Sequence, residues 1–165
     1  MEIGPASGSD ARPRGYVIIM MLLLCIATFC EGYDFFIISL VIDILPGEFG
    51  VSMNYVIKVV LTLINVGAIL GFFVIRLGDR FGRKPILLIS LCGFTAFSVI
   101  TAMSPSIWVF MTAQFIAKMF LVSQFGTAIV MTIEECPAKS RATCVALLQV
   151  AGGLGGAFAM IISKN

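Results

Sequence analysis

The 165-residue sequence predicts an all-α fold, a polytopic bundle of membrane-spanning helices, on three observations. Hydrophobic residues make up 59% of the chain and charged residues only 12%, more apolar surface than a water-soluble domain can cover. The apolar residues gather into five segments, at about 17–45, 56–75, 86–103, 107–132 and 142–163, each near or above the ~20 residues a helix needs to cross the hydrocarbon. Lysine and arginine are rich in every second connection, the pattern of a chain that crosses a bilayer repeatedly.

Residues 1–15, MEIGPASGSDARPRG, are Gly/Pro/Ser-rich and unpatterned, and predict a flexible tail carrying Arg12 and Arg14 ahead of a transmembrane region over 16–165. Helix 1 is expected to stop at Pro46-Gly47, and no small-x-small cleavage site follows it, so it is expected to stay in the mature protein. Helix 2 enters near Val56 and carries Gly67-x-x-x-Gly71. Pro85 suits the first turn of helix 3, Ser104-Pro105 precedes helix 4, and Pro137 interrupts the run between helices 4 and 5. Helix 5 carries GGLGG, Gly152 to Gly156; this and the helix 2 pattern let backbones approach closely in lipid.

The tail holds Arg12 and Arg14, the connection after helix 2 holds Arg76, Arg80, Arg83 and Lys84, and that after helix 4 holds Lys139 and Arg141. The connections after helices 1 and 3 hold none. An integral protein of the plasma or inner cell membrane with a cytoplasmic N-terminus is therefore expected. The chain has no histidine, its five cysteines lie in or beside apolar runs, and no activated-nucleophile pattern occurs, so neither an enzyme, a metal nor a cofactor is expected. No polybasic tract suggests nucleic acid; the bilayer is the expected partner.

The informative residues are the polar ones at mid-membrane depth. In helix 1, FCEGYDFFIIS places Glu31 and Asp34 three residues apart, on one helical face. An aspartate at the bilayer centre costs about 2.5–3.5 kcal/mol against about 0.3–0.6 returned by each Leu, Ile or Phe, so these groups must be protonated, paired or facing water. Counting at about 1.5 Å per residue puts Asn65, Lys118 and Gln149 near the same level. Two arrangements fit, a permanently paired bracket that fixes the bundle or an aqueous cavity, and the cavity is the reading preferred.

RLGDRFGRKP, Arg76 to Pro85, resembles the signature between helices 2 and 3 of the major facilitator superfamily: Asp79, Arg80, Gly82, Arg83 and Lys84 match, and Ile75 stands where the leading Gly belongs. EECPAKSR is similar to the family's element between helices 4 and 5 through Glu134, Pro137 and Arg141. EGYD resembles the Asp-Gly-x-Asp of the aromatic-acid/proton symporter branch, with Glu31 replacing the first Asp. Many members carry an Arg where Gln114 stands; here the cation comes one turn later, as Lys118.

The resemblance implies the first five helices of an N-terminal six-helix half, and secondary active transport of a small organic solute. The most concrete form is proton symport of an organic or aromatic acid by alternating access. Asp34 with Glu31 would carry the proton, Lys118 would face the anionic substrate, and Asn65, Gln149 and Gln114 would line the cavity. A missing second half, or a homo-oligomer, would supply the opposite wall. The rival reading is a truncated, non-transporting membrane protein that acts through helix–helix association.

Overall fold

The computed structural model describes residues 14–163, which form five long helices: α1 (Arg14–Phe49), α2 (Met53–Phe81), α3 (Arg83–Ala102), α4 (Ile107–Glu135) and α5 (Arg141–Ile162). Each is long and apolar enough to cross a membrane, and the described residues contain no strand. Most of the expected tail, residues 1–13, lies outside the described residues; the chain is already helical at Arg14.

The helix ends differ from the sequence expectation. Helix 1 does not stop at Pro46-Gly47. Pro46 lies inside α1 and removes one hydrogen bond, to the carbonyl four residues back, while the actual break comes at Gly50, whose φ of +63° is open to glycine at no steric cost. The added turn is anchored by Phe49, whose ring centroid lies 6.3 Å from that of Phe110. Ser52 caps α2, its hydroxyl accepting from the Tyr55 amide at 3.2 Å, and a π-turn follows over Val56–Val60.

At its other end α2 runs six residues past the expected boundary, so Asp79 and Arg80 sit in its last turn. The signature is therefore a pair of helix ends joined at Gly82 (φ +94°, ψ 148°), where a side chain would be strained. Likewise α4 continues to Glu135. An apolar run reports the hydrocarbon thickness of about 30 Å, but α1, with 36 residues, is about 54 Å long. Beyond the hydrocarbon the backbone still satisfies itself best as helix.

At the centre stands α4: 50% of its most apolar window is buried, against 22–28% for the other helices. It carries α2 and α3 on its flanks, while α1 packs chiefly on α5. Glycines bring the backbones together. A methyl on Gly32 of α1 would run into the Gly152 carbonyl of α5, one on Gly155 into the Phe29 carbonyl, and one on Gly71 of α2 would lie 2.7 Å from the Met119 carbonyl of α4. Such collisions are with backbone, so no rotamer change relieves them. Gly155→Leu is expected to lose at least about 3 kcal/mol of stability, at the upper end for overpacked sites. Gly153→Leu, where an added carbon meets nothing within 4 Å, should cost little. Thermal unfolding of the two variants in one detergent checks the contrast.

Two apolar clusters bracket the bundle. Leu45, Val56, Val60, Ile64, Phe110 and Met111 close the end away from the arginines, here the far end; Met20, Leu24, Ala128, Met131 and Leu148 close the basic end. Between them lies a layer of buried polar side chains, including Thr28, Glu31, Gln114 and Lys118.

Candidate functional site

Helix α1 delivers Glu31 and Asp34 to this layer, and α4 delivers Lys118. Glu31 is 5% exposed and Lys118 9%. Both Glu31 carboxylate oxygens are buried without a hydrogen-bond partner. The Lys118 ammonium stands 4.4 Å from the centroid of the Phe35 ring, and its charge acts on both carboxylates. A desolvated cation over an aromatic face gains about 2 kcal/mol from the ring quadrupole, well short of what a lysine loses on leaving water. The remainder falls to the two anions nearby.

Two cavities flank these groups. The first, about 570 Å³, is lined by Thr28, Glu31, Phe35, Phe36, Lys118 and Phe125, with Gln149 on its exposed rim. The second, about 410 Å³, holds Asp34 and Gln114 together with Ser98, Thr101, Ser104 and Glu48, and reaches the far end. The single cavity expected from depth alone is thus divided. Glu31, Lys118 and Gln149 share one cavity, and Asp34 and Gln114 share the other.

Asn65 joins neither. It is exposed on α2, whose Ile64, Gly67 and Gly71 are buried, and helical geometry turns the next residue about 100° from Ile64. Counting residues gives depth but not direction. The expectation that Asn65 lines the polar cavity is therefore not met in this arrangement.

At the basic end Arg83 bridges three helices. Its Nη2 lies 3.1 Å from Asp79 Oδ1 at the end of α2, and its Nε 2.8 Å from Glu134 Oε2 at the end of α4. Both carboxylates are more than half exposed, so each pair is worth at most about 1 kcal/mol; their effect is to fix position. Arg80 lies over Phe81, with Cζ 5.7 Å from the ring centroid, and Lys84 Nζ lies 4.9 Å from that of Tyr16. Pro137 follows α4, and Arg141 donates from Nε to the Cys136 carbonyl at 3.1 Å.

A sequence profile described as Major Facilitator Superfamily matches residues 24–164. The chain belongs to the Major Facilitator Superfamily. It is 27% identical over 81% of its length to a gentisate transporter of Corynebacterium glutamicum, covering 30% of that protein. With a 4-hydroxybenzoate transporter of Acinetobacter baylyi it shares 26% identity over 94% of its length and 34% of the relative's. A triacylglyceride transporter of Mycolicibacterium smegmatis is 29% identical over 73% of the chain and 21% of the relative. The chain thus spans between about a fifth and a third of these relatives. No solved structure matches.

Sequence reading of this superfamily chain overlooked several lining residues. Thr28, Glu31 and Phe35 fall at i, i+3 and i+7, so projecting α1 from Glu31 would have found the first cavity's wall. Ser98 and Thr101 are harder to see, because isolated hydroxyls in an apolar helix commonly bond their own backbone, as Thr101 does to the Phe97 carbonyl at 2.8 Å.

Proposed function

We propose that the chain forms one wall of a proton-coupled transporter for small aromatic acids. The carrying observation is the Lys118 ammonium in a cavity it shares with Glu31 and three phenylalanines. A cation beside aromatic faces offers an aromatic carboxylate a partner for each part: ammonium for carboxylate, rings for ring. Two of the relatives are named for such acids, gentisate and 4-hydroxybenzoate. A neutral triacylglyceride would leave the three charged groups without counterparts.

In this reading Asp34 and Glu31 take up the proton, which weakens their hold on Lys118 and frees the ammonium for substrate. Gln149 and Gln114 supply amides, each at its own cavity. The basic end lies in the cytoplasm of a cell whose plasma or inner membrane holds the protein, in keeping with the lysine and arginine alternation. The Asp79, Arg80, Gly82, Arg83 and Lys84 junction, tied to Glu134, moves as one piece during alternating access. The opposite wall comes from a second half or a second copy.

Titrating the chain in lipid nanodiscs tests the substrate class. An ammonium–carboxylate contact worth about 1.5–3 kcal/mol should make 4-hydroxybenzoate bind roughly 10- to 100-fold more tightly than 4-hydroxybenzyl alcohol, the same ring without the carboxylate. Equal binding of the two would overturn the assignment of Lys118 to the carboxylate.

A further inference from the structure

We propose that Asp34 is served from the far end by its own water-filled route, lined by Glu48, Ser104, Thr101, Ser98 and Gln114, and separate from the cavity that holds Lys118. The inference rests on the reading of Asp34 as a proton carrier. Its physical basis is a 410 Å³ cavity with unmet hydrogen-bonding capacity. Gln114 is only 4% exposed, yet its Oε1 has no partner, and neither does the buried Ser98 Oγ. Orphan polar atoms in a bilayer interior cost several kcal/mol each, on the order of what a packed helix bundle can spare. A water held by Gln114, Ser98 and Asp34 would have three polar partners in a space with ample room for it.

The route has the right length and charge. From Asp34 to Glu48 along α1 is about 21 Å, enough to run from mid-membrane to the far surface. Glu48 is exposed and lies at that end with Ser104, opposite Arg76, Arg80 and Arg83. A carboxylate at the mouth attracts protons and repels organic anions, so the route admits one coupled species and rejects the other. The charges acting at Asp34 are Lys118 of α4 and Glu31 of its own helix, and Glu48 lines the same cavity at its mouth. From α3 the cavity is lined by Ser98, Thr101 and Ala102, none of them charged, and among the described residues the one charged group of α5 is Arg141, at the basic end. The division of the two carboxylates between two cavities is what distinguishes this arrangement from one shared vestibule.

Thiol accessibility tests the route without relying on transport. With Cys25, Cys30, Cys92, Cys136 and Cys144 replaced by serine or alanine, single cysteines are placed at Ser98, Thr101, Gln114, the mouth residue Ser104 and Val99, which is 54% exposed on the outer surface of α3. A membrane-impermeant thiosulfonate is then added from the far side of sealed vesicles. Positions 98, 101 and 114 should react within about tenfold of position 104, and position 99 should stay unreactive, because the reactive thiolate forms only in water. Saturating 4-hydroxybenzoate should not protect them. Labelling at 104 alone, in folded protein, would overturn the route, and protection by the acid would overturn its separateness. Labelling at all three inner positions, together with proton coupling that survives Asp34→Asn, would instead leave a wet cavity and remove the proton-carrier reading beneath it.

Discussion

Lys118→Met is expected to weaken 4-hydroxybenzoate binding by roughly 10- to 100-fold while leaving the helices assembled. Methionine keeps an unbranched stem of similar reach, so the packing of α4 against the Phe35 ring is retained and only the charge goes. Glu31 and Asp34 lose their cation in this variant, and protonation of the acids limits the cost of leaving them in the bundle. Lys118→Arg should fall between the two, since it keeps the charge but forces a wider, planar head into the same space. Nanodisc titrations of the three forms give the order directly. Unchanged affinity in the Met variant would move the substrate site away from Lys118. A collapse of membrane abundance, rescued by adding Glu31→Gln, would identify a structural charge pair instead.

The bundle was legible because the bilayer imposes it. A backbone in hydrocarbon must satisfy its own hydrogen bonds, so five apolar runs of sufficient length become five helices almost regardless of their detailed sequence. The ends were less legible for the same reason. Hydropathy reports where lipid stops, and α1 passes through Pro46-Gly47 to Gly50 in a region where lipid no longer decides. For the polar layer, residue counting placed Glu31, Lys118 and Gln149 at a shared depth, and the structure brings them to one cavity. Counting could not tell that α2 turns Gly67 and Gly71 to α4 and so carries Asn65 outward, nor that Asp34 and Glu31, only three residues apart, look into different spaces. Azimuth is a property of packing between helices, and the glycine contacts that fix it are long-range.

Asp34→Asn is expected to abolish accumulation driven by a pH gradient in an assembled transporter containing this chain, while exchange of substrate across the membrane continues. Cotransport of one proton with one carboxylate anion moves no net charge, so the pH difference alone drives it. Each pH unit supplies about 1.4 kcal/mol and sustains about tenfold accumulation. Asparagine imitates the protonated acid in size and charge. It therefore permits the loaded carrier to turn over but severs the link to the gradient, and accumulation should fall to the level of equilibration. Glu31→Gln makes the informative comparison, because Glu31 shares the cavity of Lys118 and its loss should alter substrate affinity as well as coupling. The decisive measurement is a cycle of Asp34→Asn, Lys118→Ala and the double variant, scored both for abundance in the membrane and for pH-driven uptake. If the groups serve only to pin α1 to α4, Lys118→Ala strands the two acids and lowers abundance, and adding Asp34→Asn restores part of it by removing one of them. Restored abundance with intact proton coupling would reduce the carboxylates to architecture. Lost coupling at normal abundance in Asp34→Asn alone would explain why a helix that must insert into lipid retains an acid whose burial costs it so much.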